Sequence, residues 1–219
     1  MNPQALAHLI DQLSIVLLVV VLFQTTTHRL QSAIGAVVVQ GALLAAIAVA
    51  VAVADGSPHL YLAALLTVAV KIILVPLLLI LALRQERVKI ETAPILSARA
   101  MLVVAVLLTL VAYQTAGEFP LPGALPSRHA LPIALALMLI GSFLMIARRK
   151  AVSQVIALVT IENGIALAAL VATAGLPLAV ELGMAFDLLI GVALMAILAH
   201  RINQTFQTTD VDHLRGLRG

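Results

Sequence analysis

The 219-residue chain contains no cysteine and no tryptophan, and only two tyrosines and five phenylalanines. Without cysteine, this chain cannot hold a disulfide, an iron–sulfur cluster, a zinc–thiolate site or thiolate-bound nickel or haem. No nucleotide-binding glycine pattern or nucleophile motif is present either, so no cofactor is expected in this chain. Charge is also scarce. Asp, Glu, Lys and Arg make up 11% of the residues, against about 25% in soluble domains, too little to cover a surface that faces water. The shortage of aromatics leaves almost nothing for interfacial Trp and Tyr belts. What is present is apolar: 63% hydrophobic residues and a mean hydropathy of +1.15. The composition is that of an integral membrane protein whose first partner is the lipid bilayer. The net charge of +3 is no sign of nucleic acid, because membrane proteins gather Lys and Arg in cytoplasmic loops.

A helix needs about 20 apolar residues to cross a bilayer. Seven runs qualify: 5–27, 30–54, 59–83, 97–116, 131–147, 151–174 and 178–201. Helices are required, because backbone groups in lipid must be satisfied within the segment and these runs lack the alternation of barrel strands. The expected fold is therefore an all-α membrane protein of about seven transmembrane helices. Arg29, then Arg84, Arg87, Lys89 and Arg99, then Arg148, Arg149 and Lys150, and finally Arg201, Arg215 and Arg218 follow the odd-numbered spans. Only Arg128 lies in a connection on the other side, and Lys71 lies within a span. This bias predicts an outside N-terminus and a cytoplasmic C-terminus. The first run has no basic residue before it and no small-residue cleavage site after it, so it reads as a retained helix. The connections 84–96 and 117–130 and the tail 203–219 are too short to fold alone, which predicts a single membrane domain.

An ionisable group inside a span costs about 2.5–3.5 kcal/mol on insertion scales, so each one needs a reason. Glu162 is near the middle of the sixth run, too far from Arg149 and Lys150 to reach water at the inner end. A low-dielectric surround penalises its charged form, which is the condition for reversible protonation; the plainer reading is a carboxyl that only hydrogen-bonds a neighbouring helix. Asp187 is equally deep in the seventh run, on one face with Gly183 and Gly191, where small residues allow a close helix contact. Lys71 is central in the third run, one turn after Thr67 and shortly before Pro76. It reads as a proton-cycling lysine, a structural ion-pair partner for one of the acids, or both. Asp11 and Glu181 lie within two turns of the outer surface, and are weaker candidates. Gln40, beside Gly41 in the second run, is a neutral group able to hold water. The six histidines avoid mid-span positions, and no pair is placed to sandwich a haem.

The stretch Arg148-Arg-Lys-Ala-Val-Ser-Gln-Val-Ile-Ala-Leu-Val-Thr-Ile-Glu-Asn-Gly164 resembles the small K-type subunit of respiratory complex I and the C subunit of multisubunit sodium/proton antiporters. In that family a basic turn leads into a helix with a central Glu. Phe186-Asp-Leu-Leu-Ile-Gly-Val-Ala-Leu194 resembles the acid-containing pattern of its next helix, with Asp187 where Glu is usual. Thr25-Thr-Thr-His-Arg-Leu30, Lys71-Ile-Ile-Leu-Val-Pro-Leu77 and the ending Asp210-Val-Asp-His-Leu-Arg-Gly-Leu-Arg-Gly219 extend the likeness over the whole chain, to the hydrogenase-4 component E family. The resemblance implies a three-helix K-subunit-like module over 131–202, preceded by four additional spans within 1–116. It implies a non-catalytic membrane-arm subunit in a bacterial or archaeal inner membrane. The implied partners are antiporter-like large membrane subunits, a quinone-site-like membrane anchor and a soluble nickel–iron and iron–sulfur arm. Glu162 and Asp187, with Lys71 in the added part, are the residues it implies for passage of protons or sodium.

Two other functions remain open from the residues. A scaffold would use the same acids only to fix helix register. A stand-alone carrier would show inverted repeats with matching broken helices, and Pro76 has no counterpart in the other half of the chain. Ion transfer is favoured because moving a charge against 100 mV costs about 2.3 kcal/mol, which calls for polar stations at several depths.

Overall fold

The computed structural model describes residues 3–55, 61, 65, 68–85, 96–117, 127 and 129–173. Its elements are α1 (Pro3–Thr26), α2 (Leu30–Asp55), a π-helical segment (Val68–Leu74) running into α3 (Val75–Gln85), α4 (Ala98–Ala116), α5 (Ala130–Ala147) and α6 (Ala151–Thr173). Five of these helices are long and apolar enough to span a bilayer, and the stretch Val68–Leu81 is a shorter apolar helix. The seventh run, 178–201, lies outside the described residues, and the third is described only in part.

Local chemistry sets the ends. Ser97 starts α4 by accepting a hydrogen bond on its hydroxyl from the Ala100 amide at 3.3 Å, as an N-cap should. Pro132 lies in the first turn of α5, where its missing N–H leaves no extra bond unmade. The π-helical turn comes just before Pro76, whose ring clashes with the carbonyl four residues back in a regular helix. Widening that turn relieves the conflict and leaves Lys71 within it.

Side chains sort by face. On α1 the buried positions Ile10, Ser14, Leu17, Val21 and Gln24 recur at three- and four-residue steps, one stripe of a 3.6-residue helix. Val16, Val19 and Phe23 face outward, which costs nothing where the solvent is lipid. Helices α5 and α6 form a close pair, and α1, α2 and α4 complete the larger core. A second cluster joins the start of α2, the π–α3 element and the start of α6 through Val37, Val75, Leu79 and Val155.

Glycine allows the α5–α6 contact. A Cβ at Gly164 lies 2.7 Å from the Ala134 carbonyl oxygen, and one at Gly141 lies 2.6 Å from Ile161 Cγ1. The first obstacle is backbone and cannot rotate away. Gly164→Ala is therefore expected to cost about 1–3 kcal/mol, whereas Gly35→Ala, with open space around it, is expected to be neutral or slightly stabilising. Heating the protein in mild detergent and measuring the fraction left folded compares the two.

Candidate ion-handling site

Glu162 stands eleven residues into α6, about 17 Å from its start, on the face turned to α2 and the π-helical segment. Lys71 reaches it from that segment, with Nζ 3.1 Å from Glu162 Oε1. Both are buried, 7% exposed for Lys71 and 9% for Glu162. Gly41 makes this approach possible, since a Cβ there would stand 3.1 Å from Lys71 Cβ and 3.2 Å from the Lys71 carbonyl oxygen. The neighbour of Gln40 is thus the residue that admits the lysine backbone.

The pair is the head of a longer chain. Lys71 Nζ donates to Asn163 Oδ1 at 2.8 Å, and Asn163 Nδ2 donates to Gln40 Oε1 at 3.1 Å. Gln40 Nε2 donates to Gln24 Oε1. Gln24 Nε2 donates to Thr160 Oγ1 at 3.0 Å, and that hydroxyl donates to the Ile156 carbonyl at 3.0 Å. Every member from Lys71 to Thr160 is buried. The direction is fixed at both ends: an ammonium can only donate and a backbone carbonyl can only accept. All the amide oxygens therefore face the lysine side, and each bond polarises the next. Glu162 Oε2 is buried and has no hydrogen-bond partner among the described residues.

At the other end of the chain lies the basic turn. Arg148 is 7% exposed, and its Nη2 donates to the carbonyls of Thr25 at 3.0 Å, Thr27 at 2.9 Å and Gln24 at 3.5 Å. The Gln24 and Thr25 carbonyls belong to the last turn of α1, whose carbonyls lack helical partners, and Thr27 follows the helix end. A cavity of about 20 Å³ opens beside them, lined among others by Gln24, Thr27, His28, Arg148 and Ser153. His28, which also lines it, has a buried Nδ1 without a partner among the described residues.

The sequence candidates therefore fall into three groups. Lys71, Glu162 and Gln40 come together in one network. Asp11 stands elsewhere: its Oδ1 accepts from the Ser127 hydroxyl at 2.6 Å and the His129 amide at 3.0 Å. It fastens α1 to the start of α5, where a carboxylate suits the helix dipole. Asp187 and Glu181 lie outside the described residues. Gln24, Thr160 and buried Arg148 belong to the network but were not among the sequence candidates. The available signal for Gln24 was its register with Ile10, Ser14, Leu17 and Val21. Among the described residues, no group of three His, Asp or Glu side chains is placed to hold a metal.

The comparisons agree with the C-terminal resemblance. Residues 129–219 match the family model of NADH-ubiquinone/plastoquinone oxidoreductase chain 4L. An uncharacterized protein of Mycobacterium tuberculosis is 35% identical over 182 residues, 82% of each chain. Hydrogenase-4 component E of Escherichia coli and that of Shigella flexneri are each 30% identical over 149 residues, 68% of this chain and 69% of theirs. No solved structure matches. Together the fold and these matches define a multi-pass helical membrane protein with a chain 4L-like C-terminal part. The chain belongs to the hydrogenase-4 component E family.

Proposed function

We propose that this chain is a non-catalytic membrane-arm subunit of a complex I-like, energy-converting hydrogenase, and that it moves protons (or sodium) in step with redox chemistry in its partners. The observation that carries this reading is the buried Lys71–Glu162 pair in the middle of α6. Mid-bilayer charge is expensive and marks ion paths by preference. A lysine on a π-helical turn, bonded both to a carboxylate and to an amide chain, has two alternative partners for its charge. Withdrawal of Lys71 leaves Glu162 to take up a proton, and its return expels that proton towards the next station, for which the family resemblance supplies Asp187. With no cysteine in the chain, metal redox centres fall to the partners: the soluble nickel–iron and iron–sulfur arm, beside antiporter-like large membrane subunits and a quinone-site-like anchor. The setting is a bacterial or archaeal inner membrane.

Glu162→Gln tests this in the assembled complex in sealed membrane vesicles. Ion transport coupled to turnover is expected to fall to background, while electron transfer from the soluble arm to a water-soluble dye persists. Coupled transport at the wild-type level would leave the chain as a scaffold whose acid only sets helix register.

A further inference from the structure

The amide chain has a property that the ion pair alone does not explain. Gln24 belongs at once to the buried chain and to the wall of the cavity at the basic end. Only Gln40 and Asn163 separate it from Lys71. A continuous row of polar side chains therefore leads from that cavity to the centre of the bundle. The cavity has both apolar walls (Leu30, Leu144, Ile156) and polar ones (Gln24, Thr27, Arg148) and is large enough for a water molecule. His28, another of the lining residues, has a buried Nδ1 with no protein partner among the described residues, the kind of atom that ordered water satisfies. The Arg148 charge at the mouth is set against the negative end of the α1 dipole, which lowers the barrier it would otherwise pose.

In the form seen here the row conducts nothing. Amides bonded directly to one another leave no room for water, and they neither take up nor release protons near neutral pH. The donor-only head holds the row in this form. When Lys71 leaves Asn163 Oδ1, that oxygen loses its donor, and water is the replacement that satisfies it.

We infer that Gln24, Gln40 and Asn163 are the closed form of a water path between the cavity at the basic end and the Lys71–Glu162 pair, with Gln24 as its gate. This rests on reading that pair as an ion-handling site, and it adds the side from which the site exchanges protons. The distribution of Arg and Lys predicts that side to be the cytoplasm.

The chain has no native cysteine, so once it is separated from its partners a single introduced thiol is the only one that can carry the tag. Thr160→Cys keeps all three amides, Gln40→Cys is one station deeper, and Thr27→Cys marks the mouth. The whole complex, in vesicles of either orientation, is exposed to silver ion. The chain is then unfolded and tagged with a maleimide, which a silver-bound thiol resists. All three thiols are expected to be protected by silver from the basic end and not from the opposite face. Adding Lys71→Met to T160C is expected to speed protection about tenfold, the shift in a closed–open equilibrium that loss of one net hydrogen bond can produce. Gln24→Ala should speed Q40C similarly. If T27C is protected while T160C and Q40C remain fully taggable in every background, or if those two are reached only from the opposite face, the path is overturned. Silver access does not depend on pumping. An E162Q complex that pumps normally removes the functional reading even where the path is found, and a pumping defect in E162Q without silver access removes only the path.

Discussion

Lys71→Met is expected to destabilise the protein by about 3–5 kcal/mol, the range for breaking a buried ion pair by removing one partner. The loss comes less from the missing attraction than from what is left behind. Glu162 would be left at mid-depth with Oε2 already lacking a partner among the described residues and Oε1 deprived of its cation, and would either hold an unpaired charge or take up a proton to lose it, at a cost in both cases. Asn163 Oδ1 would lose its donor as well. An unpaired carboxylate at that depth costs about 2.5–3.5 kcal/mol on insertion scales, which agrees with the first figure. The apparent melting temperature in mild detergent should fall by about 10 °C. Adding Glu162→Gln removes the stranded acid, so the double variant should recover most of the loss. That recovery separates a charge effect from a packing effect: if methionine at position 71 merely fits badly, the second substitution will not help. The same double variant should remain inactive in coupled transport, because stability and conduction make opposite demands on the pair.

The long apolar runs and the Arg, Gly and Pro breaks between them made the helical membrane fold legible, since length and polarity alone decide what crosses lipid. Glu162 and Lys71 were legible for the same reason: an ionised group in such a run has no inexpensive neutral explanation. Their partners were harder to see. Gln24 stands three residues from the end of a run, beside Thr25, Thr26 and Thr27, where a polar residue ordinarily meets water. Its significance depends on the register of α1 against α2 and α6, which is set by interhelical packing and by the Arg148 contact. Arg148 counts as a loop cation in any tally of positive charge, yet it is buried against the end of α1. Asp11 lies near a helix end in the sequence, and nothing there shows that its carboxylate accepts the His129 amide at the start of α5. Pro76 signalled a disturbed helix without revealing that the disturbance is a π-helical turn holding Lys71.

Arg148→Ala is the other substitution with a large expected effect, about 3 kcal/mol. Arg148 follows the last residue of α5 in an extended conformation (φ −97°, ψ 138°), which turns its side chain back towards α1. There one guanidinium nitrogen serves the carbonyls of Thr25 and Thr27 at 3.0 and 2.9 Å. Hydrogen bonds from a charged donor contribute about 1.5–3 kcal/mol each, and alanine leaves those oxygens unsatisfied in a buried site. Arg148→Lys should recover only part of the loss, because the lysine side chain is one bond shorter and its ammonium falls short of the carbonyls that Nη2 reaches. The effect should also reach the centre of the bundle. Arg148 holds the turn that carries Gln24, and the Gln24 side chain holds Gln40. Arg148→Ala and Gln24→Ala should therefore be non-additive, with a coupling of about 0.5–3 kcal/mol for residues in one network. Melting temperatures of the two single variants and the double variant measure that coupling. A double variant equal to the sum of the singles would mean that the basic turn and the buried chain respond independently, and that Arg148 serves only to close the end of α1.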